Sequence, residues 1–408
     1  MEFFNVVTVS DARMIIDDNF NIKIGYEIVN LDECTGRILY EDVISKEDVP
    51  AFKRSAVDGY AVFSKDVFGA SESIPSMMNL KGEVLMGQVP VERIEFPGDC
   101  VYVPTGGMLP YGANSVVMME YTERLDESTL LISNPAAPGE NIIDAGEDIK
   151  TGEVAIKKGT RLRPYEVGVL SSLGFLNIKV SRKPKVAIIS TGDEIVKADG
   201  IPKPGQVRDI NTHLLYSLIM EDSGEPVVYG LIKDEFSLLK NTVEKALSEC
   251  DAVIISGGSS VGKKDETVNV INSFEGPGVL IHGISVKPGK PTIVGKVRDK
   301  IIFGLPGHPL ACAVMHRVIV SHYLNSLTGH KLLEYPVTCT FNINYHKAKG
   351  REEYLPVMLD YDGDKIKATP VFGKSGLMTG FSKAWGYIRI EKNQEGIKEG
   401  QVVYAYKF

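Results

Sequence analysis

KVAIIS (185–190), DAVIIS (251–256) and KIIFG (300–304) decide how this chain folds. Each is a short unbroken run of mostly β-branched residues, and such a run marks a strand covered on both faces, because a half-exposed strand alternates. Between them lie NTHLLYSLIMEDSG (211–224), EFSLLKNTVEKALSEC (235–250) and PLACAVMHRVIVSHYL (309–324), which have helical spacing, and one more strand, PVVYGLIK (226–233). Strand–helix–strand repeats of this length predict a mostly parallel sheet between two helix layers, a three-layer α/β domain over residues 181–329. Helix punctuation agrees: Asn211 and Asp234 stand where N-caps are expected, and Gly224 where a C′ glycine belongs, with Pro226 just beyond.

Outward from this unit the pattern changes. Residues 46–143 read as short strands broken by Pro and Gly, with a turn-rich centre at PGDCVYVPTGGMLPYGANSVVMMEY (97–121), and predict a β-rich insert domain. The flanking segments, 1–45 and 144–180, are helical or mixed and are expected to close together as one split α/β domain. Beyond Thr328 and Gly329, the stretches 335–345, 352–370 and 385–392 alternate with period two, so residues 330–408 predict a C-terminal β-barrel.

Composition excludes several classes. In 408 residues, 43% are apolar and 24% charged, which is ordinary for globular chains and unlike disordered or fibrous ones. The 45 basic and 53 acidic residues leave a net charge of −8, which argues against a broad nucleic-acid-binding or lipid-binding face. Cysteines 34, 100, 250, 312 and 339 are odd in number and scattered, so reduced, buried thiols are expected rather than a disulfide framework or a metal knuckle. The start carries acids where a signal peptide needs cations, and no apolar stretch is long enough for a membrane span, so the expected location is the cytoplasm.

In an open parallel sheet, ligands bind beyond the carboxyl ends of the strands. Four loops stand there: Thr191-Gly192-Asp193-Glu194, Gly257-Gly258-Ser259-Ser260-Val261-Gly262, Lys287-Pro288-Gly289-Lys290-Pro291, and Leu305-Pro306-Gly307-His308-Pro309. GGSSVG leading into a helix suits an anion cradle of main-chain amides and hydroxyls, though a tight strand-to-helix turn reads the same way. Residues 257–263 also fit GxxxxGK, but Lys264 replaces the hydroxyl that should hold magnesium, which speaks against a P-loop ATPase. Lys287 and Lys290 flank a Pro-Gly turn that can aim both ammoniums at one anion; a solvated turn is the plain alternative. Glu194, Asp234 and Asp265 each follow a strand, and carboxylates converging beside bound phosphate suggest a magnesium site. His308, His316 and His322 do not form a metal set, since the last two are six apart on a helix. Asp58, in the RSAVDGYAV segment, reads as a structural turn residue by itself.

Taken together, PAFKRSAVDGYAV (50–62), VPTGGMLPYGANSVVMMEY (103–121), NIIDAGEDI (141–149), ISTGDEIV (189–196), GQVRDINTHLL (205–215), IISGGSSVGKKDET (254–267), VKPGKPTIVG (286–295) and GLPGHPLACAV (304–314) resemble the molybdopterin molybdenumtransferase family of the MoeA and gephyrin E-domain type. The resemblance implies a magnesium-dependent enzyme that inserts molybdenum from molybdate into adenylylated molybdopterin and releases AMP. It implies that Thr191, Gly192, Asp193, Gly257, Gly258, Ser259, Ser260 and Gly262 hold the pterin phosphate end. Glu194, Asp234 and Asp265 would assist metal and pterin binding, and Lys287 and Lys290 would contact anions. Asp58, Thr105 and Asp148 match positions that complete the site from the other subunit of a homodimer. Pro306 and Pro309 shape the mouth, and Arg351 and Ser375 match positions for the oxyanion. The resemblance further implies contact with the molybdopterin adenylyltransferase and with molybdoenzyme chaperones. Three positions depart from the family: His308 stands where Asn is usual, Ile143 and Asp144 where an Arg is, and Trp385 where a small polar residue is. Two other functions fit the same resemblance, a pterin-binding scaffold without turnover and an adenylyltransferase of molybdopterin.

Overall fold

A computed structural model describes residues 6–257, 266–331, 334–373, 376 and 378–408. The α/β unit runs β1 (Lys185–Thr191), α1 (Asn211–Glu221), β2 (Glu225–Ile232), α2 (Phe236–Glu249), β3 (Ala252–Ser256), α3 (Glu266–Asn272), β4 (Gly278–His282), β5 (Ile293–Val297), β6 (Lys300–Leu305) and α4 (Pro309–Met315). Its six strands lie in the order β2-β1-β3-β6-β5-β4. The first four are mutually parallel, and β5 alone runs against its neighbours.

Adjacent residues of one strand explain the unbroken apolar runs. Val186 and Ile188 of β1, with Ala252 and Ile254 of β3, face a core built from α1, α4 and the N-terminal helix Val9–Asn19. Ala187, Ile189, Val253 and Ile255 face the opposite core, with Leu239, Val243 and Ala246 of α2 and Val270 and Ile271 of α3. All eight strand residues are fully buried. Each contributes up to about 3 kcal/mol of burial free energy, with alanine less. The sequence groups helix Val9–Asn19 with the split domain, but its apolar face, Val9, Ala12 and Ile16, completes the α/β core.

Three helix-end expectations are corrected. Asn211 lies inside α1, after the cap residue Ile210, and the acceptor for the Thr212 N–H is Asp209, at 3.1 Å. Glu235, not Asp234, precedes α2, and its side chain makes no cap bond. At the end of α1 the left-handed C′ residue is Ser223 (φ 62°), while Gly224 follows it and donates to the Ile219 carbonyl at 2.8 Å. This is a Schellman closure shifted by one residue.

In the insert, strands between Gly59 and Ile132 form a six-stranded sheet with a core on each face. The segments flanking it pair with each other, Tyr26–Asn30 with Asn177–Ser181 and Val43–Ile44 with Val154–Ile156, around one core containing Cys34, Leu162 and Leu170. The C-terminal strands Val337–Phe341, Glu352–Asp362, Lys365–Pro370, Gly386–Ile390 and Val402–Lys407 close into a five-stranded barrel. Strict alternation fails along Glu353–Val357, which is buried throughout. Leu355 and Val357 fill the barrel while Tyr354 joins the α/β core, so the α/β unit covers the outside of this wall. The five cysteines are free and buried. Among the described residues no helix is long and apolar enough to cross a membrane.

Candidate functional site

The chain leaves β1 toward β2 on one side and returns to β3 on the other, so the loops after β1 and β3 diverge and open a crevice at a topological switch point. A cleft of about 600 Å³ lies there. Its rim comprises Thr191, Gly192 and Glu194 after β1, Asp209 and Asn211 at the start of α1, Asp234 after β2, Gly257 after β3, and Pro306–Pro309 after β6. Gly376 of the C-terminal domain also lines it.

Two glycines make the close approaches. A β-carbon on Gly257 (φ 107°) would lie 2.1 Å from the Thr191 carbonyl oxygen, so only glycine lets β3 end this near to β1. One on Gly192 (φ 150°) would meet the Ile195 side chain at 2.8 Å and Glu194 Oε2 at 3.1 Å; its absence lets the Glu194 carboxylate fold back over the turn. Beneath the rim runs a polar floor. Ser190 Oγ meets Thr212 Oγ1 at 2.7 Å, Thr212 Oγ1 donates to Asp209 Oδ2 at 2.5 Å, and Asn211 Nδ2 donates to Ser256 Oγ at 2.7 Å and to the Gly307 carbonyl at 2.9 Å. Spacing marks Asn211 only as an N-cap candidate, and Asp209 and Ser256 carry no motif signal of their own.

Burial raises the pKa of Asp234, and the neighbouring charges of Asp193, Glu194 and Glu266 push it further up, against a lowering by the Thr191 hydroxyl. The mouth thus holds an excess of negative charge that a hard cation would relieve. Glu194 and Asp234 are oxygen donors lining one cleft and fit magnesium, which keeps several water or phosphate ligands and needs few from protein. Among the described residues no three His, Cys, Asp or Glu side chains gather closely enough to hold a metal by themselves. Asp265, expected as the third carboxylate, lies outside the described residues, as do Gly258, Ser259, Ser260, Gly262 and Ser375.

The lysine turn sits at the junction with the barrel. Val286–Lys287 pairs in parallel with Glu352–Glu353, and Lys287 Nζ lies 2.8 Å from Glu353 Oε1. Glu353 is buried and also accepts from the Tyr345 hydroxyl at 2.7 Å. Gly289 packs on Met315, where a β-carbon would lie 2.4 Å from Sδ, and Thr292 Oγ1 donates to its carbonyl at 2.7 Å, so the turn is stiff. Pro291 reaches the cleft, whereas Lys287 and Lys290 are not among its lining residues.

In the insert, Asp58 and Thr105 are both exposed and touch: Thr105 N donates to Asp58 Oδ1 at 2.8 Å. Asp148 is also exposed, its N–H bonded to the Val49 carbonyl. None of the three lines the cleft of the same chain. Where an Arg is usual, Asp144 pairs with Lys53 at 2.7 Å. Arg351 is exposed on the barrel, and His308 lines the cleft. His316 is fully buried, its pKa pushed down to about 3 by burial, and His322 bonds Asp17 at 2.8 Å, so neither belongs to the site.

A multi-domain chain with a switch-point cleft of glycines and carboxylates defines a ligand-binding α/β protein, and comparison with known proteins names its kind. Residues 7–174 match the MoeA N-terminal region (domain I and II), 187–326 a probable molybdopterin binding domain, and 338–408 the MoeA C-terminal region (domain IV). The chain belongs to the MoeA family. It is 34% identical to a Methanocaldococcus jannaschii protein named for molybdopterin biosynthesis, over 96% of this chain and 93% of that one. It is 31% identical to the molybdopterin molybdenumtransferase of Haemophilus influenzae over 99% of each. The crystal structure of a molybdopterin biosynthesis moeA protein from Pyrococcus horikoshii superimposes with a TM-score of 0.86 at 32% identity, covering 99% of this chain and 100% of that one.

Proposed function

We propose that this protein is a cytoplasmic molybdopterin molybdenumtransferase, which places molybdenum from molybdate on the dithiolene sulfurs of adenylylated molybdopterin and releases AMP. What supports the reading is the meeting, in one switch-point cleft of a MoeA-family chain, of glycine-lined main-chain turns with the Glu194 and Asp234 carboxylates. The substrates are a diphosphate ester and an oxyanion, so the site needs donors for the anions and carboxylates for a cation. Main-chain amides around Thr191–Asp193 and Gly257–Gly262, with the Ser259 and Ser260 hydroxyls, orient the phosphate end. Pro306 and Pro309 wall the mouth, and Lys287 and Lys290 balance anionic charge. Glu194 and Asp234, with Asp265, would hold magnesium, which supplies neutralisation of the phosphate charge when bound. Asp58, Thr105 and Asp148 of a second copy complete the site in a homodimer, and Arg351 and Ser375 hold the oxyanion. The adenylyltransferase that supplies the substrate and the chaperones that take the product are its proposed partners.

Incubation with adenylylated molybdopterin, magnesium and molybdate, followed by chromatography, tests this. AMP together with metal-bearing pterin is the expected result. Binding without AMP would replace the transferase with a scaffold, and adenylylation of bare molybdopterin from ATP would replace it with an adenylyltransferase.

A further inference from the structure

Asn211 is 7% exposed, stands at the first turn of α1 and leaves that helix uncapped by its side chain. Its Nδ2 instead bridges the Ser256 hydroxyl at the end of β3 and the Gly307 carbonyl in the turn after β6. All three residues line the cleft, so one amide ties the start of α1 to two of its walls. The bridged turn is short of main-chain donors, because Pro306 and Pro309 carry no N–H. Oδ1 of Asn211, by contrast, is buried with no partner. An unpaired buried acceptor is costly, and turning the amide over would set that oxygen against the Gly307 carbonyl. The side chain therefore keeps an unfavourable oxygen in order to make its two donor bonds.

We propose that Asn211 is a positioning residue for the substrate cleft: it fixes the Pro306–Pro309 turn against the end of β3, so that this wall meets the pterin substrate in one geometry. The proposal rests on the reading of the cleft given above. Because the residue acts through Gly307 and Ser256 and not on the reacting atoms, its loss weakens substrate binding more than it slows the bound substrate.

Steady-state AMP release by the full-length wild type, Asn211→Ala, Asn211→Asp and Ser256→Ala tests it, with circular dichroism confirming folding. Asn211→Ala is expected to raise KM for adenylylated molybdopterin about tenfold while kcat falls by less than about threefold. Asn211→Asp puts a carboxylate against the Gly307 carbonyl and should be worse than Ala near pH 8. Toward about pH 5.5 its activity relative to wild type should recover, because a buried carboxyl takes up a proton early and its O–H can then donate. The groups that titrate or carry charge around it, Glu194, Arg208, Asp209, Asp234, His308 and Cys312, are common to both proteins, so the ratio isolates position 211. Ser256→Ala keeps the bond to Gly307 and should raise KM about two- to threefold; it carries the test if a 211 variant fails to fold. Absence of turnover in the wild type would overturn the reading of the cleft and this proposal with it. Wild-type turnover with unchanged KM in Asn211→Ala, a pH ratio that stays flat in Asn211→Asp, or, where the 211 variants do not fold, unchanged KM in Ser256→Ala, would overturn the proposal alone.

Discussion

The main-chain N–H of Thr105 donates to the carboxylate of Asp58 at 2.8 Å, on an exposed edge of the insert, apart from the residues that line the switch-point cleft. This carboxylate does not line the cleft of its own chain, and the proposed homodimer assigns it to the cleft of a second copy. If two copies complete each other's sites, Asp58→Ala and Asp234→Ala are each inactive, but mixing them restores function. Half of randomly mixed dimers carry both variants and each of these has one intact site, so roughly a quarter of wild-type AMP release should return. Activity staying at the level of the single variants would contradict a site shared between two copies.

Much of this was legible in the chain before its fold was known, for identifiable reasons. VAII and AVII carry no alternation because residues 186–189 and 252–255 are buried on both faces, and that signal is local. Strand order is not local: nothing in KVAIIS says that it lies between β2 and β3, which is what creates the cleft. The helix N-termini differ from the expected caps by one or two residues, and Asp209 supplies the acceptor expected of Asn211. Lys287 was visible as a cation in a stiff turn, but its partner Glu353 lies 66 positions further on and could not be paired with it from spacing.

That pair yields a stability prediction. Lys287→Ala removes the cation from the buried Glu353 carboxylate and leaves it the Tyr345 hydroxyl bond. The lysine is more than half exposed, which limits the loss to about 1–2 kcal/mol. Adding Glu353→Gln removes the stranded charge while keeping an acceptor for Tyr345, and should restore about half of the loss. Urea denaturation of the single and double variants measures both, and additive losses would show that the two side chains do not interact.

Asp234 predicts a trade of stability against function. Its pKa is raised by burial and by neighbouring acids. A carboxyl raised in the folded state holds its proton more tightly than in the unfolded chain. Its stabilising effect is therefore present below the unfolded pKa and is lost as pH climbs through the folded value. Asp234→Asn should therefore raise the melting temperature at pH 7 relative to wild type and abolish AMP release, with the stability gain shrinking as pH falls through the raised folded value toward the unfolded one of about 4 and gone below it. A variant less stable than wild type at neutral pH would contradict the electrostatic account of the mouth.

The two glycine environments separate strain from contact. Gly257→Ala drives a β-carbon against the Thr191 carbonyl and should cost more than about 3 kcal/mol or prevent folding. Gly87 also has positive φ (75°) but open space around it, so Gly87→Ala should cost about 1 kcal/mol. Equal losses would mean that the approach of β3 to β1 is not tight.

The most direct trial of the central claim, that the switch-point cleft carries out molybdenum transfer, is a single-turnover experiment. Wild type and Asp234→Asn are each loaded with adenylylated molybdopterin and magnesium, and AMP and pterin-bound molybdenum are quantified together after molybdate is added. The account predicts about one AMP per metal-bearing pterin in the wild type and neither product in the variant. Equal yields from both proteins, or AMP without metal on the pterin, would contradict it.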